Sequence, residues 1–241
     1  MQIDKPIVVT EFPKSGGSWV TSMLGDVLGV PQRDIYVNPG FDLFDIKKHP
    51  WYAGSNDLDF PRCSVIKSHE FPRSGLIDFD AKYVHLVRDG RDVVVSKWHF
   101  EKYFCVNNGI TTSFDIDFDV YVKKTAAEWA NYVEAWRASS VLLVRYEDFL
   151  QEPAECLGRL IKSLIGSDVK KDMLERTVDR FSKENFARAL GKAFRHNTFV
   201  RKGVAGDWVN HFSEKNIADF KAVAGETLLS LRYESSRNWG G

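Results

Sequence analysis

Four short stretches combine residue types that can do chemistry on anions. EFPKSGGSW (Glu11–Trp19) sets Lys14 before paired glycines. Glycines between a strand and a helix let backbone N–H groups close around a phosphate, and the helix N-terminus adds favourable partial charge. The lysine precedes the glycines, so this is not the nucleotide-triphosphate loop G-x-x-x-x-G-K-[ST]. VIKSH places Lys67 and His69 two residues apart. A histidine there can act as general base towards a hydroxyl, because its ordinary pKa lies near neutral pH. Arg88 and, eight residues on, Ser96 offer a guanidinium and a hydroxyl, a suitable pair for a terminal phosphate. RKGVAGDW (Arg201–Trp208) joins two adjacent cations, Arg201 and Lys202, to Gly203 and Gly206. Each stretch alone also fits a blander reading: a plain turn, a structural histidine, a solvated charge pair.

The elements that must position these residues can be read from periodicity. Ile7–Thr10 is a short β-branched run, as expected of a strand buried on both faces, and is followed by a loop and then an apolar-periodic helix through Val20, Met23, Leu24, Val27 and Leu28. Ser64–Lys67 and Tyr83–Val87 read as two further buried strands, and Val141–Val144 as a fourth strand. A helix follows Arg88 through about Phe104. Val122, Ala126, Trp129, Val133 and Trp136 fall at spacings of three and four, which predicts a helix over about 119–138. Pro153 opens a helix that stops at Gly166. Further helices are expected around 168–180 and 213–224, and 31–62 and 192–212 read as irregular. Strands alternating with helices predict a single α/β domain, residues 1–241, with a central parallel sheet flanked by helices and a phosphate-binding loop. Lys67 and His69 then lie just past a strand's end, where open α/β sheets bind ligands.

Composition narrows the function classes. The 241 residues carry 33 Lys+Arg and 33 Asp+Glu, a formal charge of zero. That argues against a general nucleic-acid binder, which shows a basic excess. Cys63, Cys105 and Cys156 are scattered, with no metal-ligand spacing, and read as reduced thiols. No carboxylate cluster suits Mg²⁺, and no metal is expected. The N-terminus lacks the long apolar stretch of a signal peptide, and no run approaches the ~20 apolar residues of a membrane span, so a reducing, cytoplasmic setting is expected.

Taken together, the four stretches resemble the PAPS-dependent sulfotransferases, which transfer sulfonate from 3′-phosphoadenosine 5′-phosphosulfate (PAPS). PKSGGSW resembles that family's 5′-phosphosulfate loop, RDGRDVVVS its 3′-phosphate motif and RKGVAGDW its RKGxxGDW signature. VLLVRYEDFLQEP resembles a strand and Tyr-Glu-Asp turn of the same fold, and the matches fall in order from residue 7 to about 212. The resemblance implies a sulfotransferase fold related to the P-loop NTPases and transfer of sulfonate to a hydroxyl acceptor without a metal. It implies that Lys14 contacts the sulfonate and bridging oxygen, with N–H groups of Ser15, Gly16, Gly17 and Ser18 around the 5′-phosphate. Trp19, Tyr146 and Phe181 then flank the adenine; Arg88, Ser96, Arg201, Lys202 and Gly203 hold the 3′-phosphate. His69 becomes the catalytic base, with Lys67 near the transferred group.

Departures from the family pattern are visible. Many members have two threonines where this chain has Gly17 and Ser18, and Asp89-Gly90 replaces an Asn/Asp-Pro turn. Asp179 stands where a threonine is common, two residues before Phe181, which weakens the adenine assignment there. The K-x-x-x-T-V-x-x-x-E segment that some relatives use to dimerise is absent, so oligomeric state stays open. A P-loop small-molecule kinase and a non-catalytic nucleotide-binding scaffold of the same fold are the rival readings. The acceptor is expected to be a hydroxyl-bearing small molecule, natural product or glycan. Lids at 31–62, 104–118 and 186–200 are expected to line its pocket with Phe41, Phe44, Trp51, Tyr52, Phe104 and Phe114, unless these only anchor the loops.

Overall fold

The apolar run at the start of the chain forms β1, Ile7–Glu11, and its side chains alternate between two cores: Ile7 and Val9 on one face, Val8 on the other. A strand buried on both faces needs helices on both sides, and the order of elements supplies them. The structure, a computed structural model, describes residues 3–34, 63–73, 77, 80–193 and 202–240. After β1 come α1 (Gly17–Leu28), β2 (Gln32–Asp34), β3 (Val65–Ser68), β4 (Lys82–Val87) and α2 (Gly90–His99). A π-helical turn, Phe100–Cys105, continues α2. Next are α3 (Phe118–Arg137), β5 (Leu142–Arg145), α4 (Tyr146–Gln151), α5 (Pro153–Ile165), α6 (Lys171–Arg180) and α7 (Lys183–Ala193). A short 3-10 turn, Asp207–Asn210, precedes α8 (Glu214–Ser230).

The five strands form a parallel sheet in the order β2-β3-β1-β4-β5. Ile7, Val9, Val65, Val84 and Leu86 pack with α1 and α5, through residues such as Met23, Leu24, Leu157 and Ile161. Val8, Ile66 and Val87 pack on the opposite face with α2, α3 and α8, through Val94, Trp129 and Phe220. In-register pairing of Val9 with Lys67 and of Glu11 with Leu86 brings the ends of β1, β3 and β4 to one edge. All four candidate stretches meet that carboxyl edge. Among the described residues no helix is long and apolar enough to cross a membrane.

Three elements differ from expectation. Gln32–Asp34 is an edge strand within a segment read as loop, α8 runs six residues past 224, and α7 is helical through the start of the segments read as a lid (186–200) and as irregular (192–212). The helix expected through Phe104 does continue, but as a π-helical turn after His99.

Candidate active site

The loop between β1 and α1 turns through two left-handed residues, Lys14 at φ 77° and Gly16 at φ 102°. Alternating handedness aims successive N–H groups at one side and makes an anion-binding concavity. Glycine at 16 answers both that conformation and a close approach, since a Cβ there would lie 2.5 Å from the Tyr146 ring. At Gly17 a Cβ would fall on the Glu11 carboxylate, which accepts the Gly17 N–H at 2.5 Å. Lys14, a left-handed non-glycine residue, is strained, and such strain collects at functional sites. Its amine stands 4.0 Å from the centre of the Phe100 ring on the π-helical turn. Loss of hydration there lowers its pKa to about 7; Glu11 opposes the drop, while Lys67 and Arg88 add to it.

β3 delivers Lys67 and His69. Lys67 Nζ donates to Ser18 Oγ at 3.3 Å, which joins it to the loop. His69 Nδ1 lies 2.9 Å from the Glu11 carbonyl oxygen. A carbonyl only accepts, so Nδ1 carries the proton, and in neutral His69 the basic lone pair belongs to Nε2. The tautomer suits a general base.

Arg88, at the end of β4, joins two loops: its guanidinium donates to the Lys14 carbonyl at 3.0 Å and to the Val204 carbonyl at 3.2 Å. It also lies 4.7 Å from the centre of the Tyr146 ring. Its Nε is buried with no hydrogen-bond partner among the described residues. Such a donor is costly unless something accepts from it. The Asp89 carboxylate caps α2 through the Arg91 N–H. Asp92 accepts the N–H groups of Gly206 at 2.6 Å and Trp208 at 2.9 Å, pinning the 202–208 loop to α2. Lys202 donates to Asp207 at 2.7 Å.

One cavity of about 320 Å³ collects these side chains. The first loop contributes Lys14, Gly16, Gly17, Ser18 and Trp19; β3 contributes Lys67 and His69; β4 and α2 contribute Arg88 and Ser96. Tyr146 and the Lys202-Gly203 segment complete the set of expected residues. Two expected residues lie elsewhere. Ser15 is buried and gives its N–H to the Phe12 carbonyl, and the half-buried Phe181 ring packs against the α1–α5 core while its carbonyl accepts from Trp19 Nε1 at 2.8 Å. Arg201, Phe41, Phe44, Trp51 and Tyr52 lie outside the described residues. Phe104 is fully buried and Phe114 packs on Trp98 and Tyr121, so both anchor their segment.

Sequence reasoning missed Glu11, Phe100, Leu150, Lys183 and Phe186, which line the same cavity. Lys183 and Phe186 sit three apart on α7, a one-face spacing that could have marked them. For Glu11 the signal was a carboxylate at the mouth of a loop suited to anions.

The sulfotransferase domain family matches residues 4–231. Sulfotransferase 1B1 of Mus musculus is 27% identical, over 90% of this chain and 80% of its own length. Sulfotransferase 2A1 of Homo sapiens is 23% identical, over 96% of this chain and 87% of its own. Among solved structures, mouse sulfotransferase SULT7A1 complexed with PAP superposes with a TM-score of 0.71 at 20% identity, covering 98% of this chain and 90% of that one. Retinol dehydratase in complex with androsterone and the inactive cofactor PAP gives 0.66 at 18% identity, covering 95% and 82%. These two superpositions speak to the fold.

Proposed function

The chain belongs to the sulfotransferase domain family and is a sulfotransferase, and from that premise we propose that it moves sulfonate from PAPS to a hydroxyl-bearing small molecule using Lys14, Lys67 and His69. The reading extends to the whole of residues 1–241 as one catalytic domain and to a reducing, cytoplasmic setting. Two features fit a donor with two phosphate ends: the Arg88 Nε, buried with no hydrogen-bond partner among the described residues, and the turn from Lys14 to Gly16, whose alternating handedness shapes an anion-binding concavity.

The donor supplies the sulfonate and carries the leaving phosphate. Charge spreads over peripheral oxygens in such a transfer, so the protein's part is positioning and electrostatic stabilisation. His69, with its proton fixed on Nδ1 by the Glu11 carbonyl, takes the acceptor's hydroxyl proton at Nε2. Lys14 and Lys67 neutralise charge that grows on the 5′-phosphate side. Ser96, Arg88 and the Lys202-Gly203 segment hold the 3′-phosphate, and Trp19, Tyr146 and Phe186 offer aromatic surface to the adenine. Phe186 lines the cavity that the Phe181 ring does not reach. The acceptor class is a small hydroxyl compound, a natural product or a glycan; similar proteins have been solved with retinol and androsterone.

The observation that carries the reading is the meeting of Lys14, Lys67, His69 and Arg88, from three separate β-strand ends, in one cavity. Its test pairs binding with turnover. Adenosine 3′,5′-bisphosphate should bind at least ~100-fold tighter than adenosine 5′-monophosphate, given ~1.5–3 kcal/mol per hydrogen bond to a charged group. His69→Ala should cut transfer of labelled sulfonate by about 100-fold and leave that affinity unchanged. Equal affinity for the two nucleotides removes the 3′-phosphate site, and near-normal turnover of the variant removes the base.

A further inference from the structure

The anion cradle already holds an anion. Glu11 ends β1, is 3% exposed, and lines the cavity; its carboxylate accepts the Gly17 N–H at 2.5 Å. Gly17 is the first residue of α1, a twelve-residue helix, so this carboxylate occupies the N-terminal position where an anion is most favoured. Its charge supports the ammonium form of Lys14 from the same side. Lack of a side chain at residue 17 is required by it, because a Cβ there would collide with the carboxylate. The glycine at 17, where many sulfotransferases carry threonine, and the carboxylate at 11 are therefore one feature with one spatial cause.

From this geometry we infer that Glu11 is a resident competitor of the donor: its carboxylate holds the Gly17 N–H that the donor's 5′-phosphate takes, and the donor binds by displacing it. The inference rests on the PAPS reading above. Without donor, the carboxylate satisfies the helix N-terminus and supports the cation of Lys14. With donor, two anions contend for the same N–H, and part of the binding free energy goes into moving Glu11 aside. The same contest favours release of the nucleotide product, since the carboxylate can return to its seat. Glu11 thus sets affinity for the 5′-phosphate end of the donor alone. The 3′-phosphate contacts, at Arg88, Ser96 and Lys202, lie on other elements.

The discriminating experiment measures two nucleotides by calorimetry at pH 6 in low salt. Adenosine 3′,5′-bisphosphate carries the 5′-phosphate; adenosine 3′-monophosphate lacks it. Glu11→Gln keeps an oxygen for the Gly17 N–H and loses the charge. It should tighten adenosine 3′,5′-bisphosphate at least tenfold and change adenosine 3′-monophosphate less than twofold. A parallel shift of both nucleotides, no shift, or a loss confined to the bisphosphate overturns the inference. Should Glu11→Gln fold poorly, Glu11→Ala, which removes the carboxylate and adds no donor, should give the same selective gain; Gly17→Thr alone should lower Tm, because its Cβ meets the Glu11 carboxylate. The donor reading fails separately, through the 3′-phosphate comparison: a wild-type protein indifferent to that group refutes it whatever Glu11 does.

Discussion

Lys14 shows how a single residue can be spent on function. It holds a left-handed backbone without being glycine and keeps a cation in a place that withdraws it from water. Its pKa of about 7 means that near neutral pH the free protein is divided between charged and uncharged forms. An anionic donor favours the ammonium form, so binding above pH 7 must take up a proton. Affinity for adenosine 3′,5′-bisphosphate should therefore fall as pH rises past about 7, approaching tenfold per unit. Calorimetry in buffers of different ionisation enthalpy should show uptake of close to one proton at pH 8.5 and little at pH 6. Lys14→Met should abolish the uptake, and its persistence in that variant would assign the titration elsewhere. The sign for folding is separate. A lysine whose folded pKa lies below its unfolded value, about 10.4, leaves the folded state with fewer protons between pH 7 and 10, so this residue's contribution to stability rises with pH in that window.

At the scale of elements, the site depends on loops that are tied down from behind. Asp92 lies on α2 and never reaches the cavity, yet it accepts two backbone N–H groups of the 202–208 loop. Burial raises its pKa, and those two bonds, with Arg88 nearby, pull it back. Asp92→Ala should free the loop and leave two N–H groups without their acceptor, at about 1–3 kcal/mol each where they stay buried. The expected readout is a shrunken preference for adenosine 3′,5′-bisphosphate over adenosine 5′-monophosphate, with the 5′-phosphate contribution intact. An unchanged preference would show that Lys202 and Gly203 hold their place unaided. What could be read from sequence follows the same division. β1, β3 and β4 were legible because a strand buried on both faces must be a β-branched apolar run, and α3 and α5 because their apolar residues keep helical spacing. β2 is three polar residues, Gln-Arg-Asp, on the edge of the sheet, and α4 is a six-residue turn; neither is long enough to show a period. The site's cations were legible by type, and Glu11 only as a carboxylate beside an anion loop: nothing in one sequence says that it will fold back onto the N–H six residues later.

Over the whole molecule, the two cores on either side of the sheet are sealed well enough to force a histidine to stay neutral. His85 on β4 is fully buried, donates from Nδ1 to the Thr10 carbonyl at 3.3 Å, and stacks against Trp136. Burial lowers its pKa to about 4, although the Thr10 carbonyl works the other way. In the unfolded chain the same ring titrates near 6.5. Between those values the unfolded state binds a proton that the folded state refuses, so stability must fall as pH drops from about 6.5 towards 4. The loss is on the order of 3 kcal/mol, a large part of the 5–15 kcal/mol that holds a typical domain. Because His85 pairs with Thr10, the residue before Glu11, it sits beside the end of the strand that leads into the loop that carries Lys14. Acid should thus loosen the sheet where the active site is anchored. Urea unfolding of the wild type and of His85→Phe at pH 7.5, 6.0, 5.0 and 4.5 measures this. The variant keeps a ring against Trp136 but loses the proton and the Thr10 bond, so it should be less stable at pH 7.5. Its stability should then change less with acid, and the two curves should converge towards pH 4.5. Parallel curves across that range would place the acid sensitivity in other groups and leave His85 as packing alone.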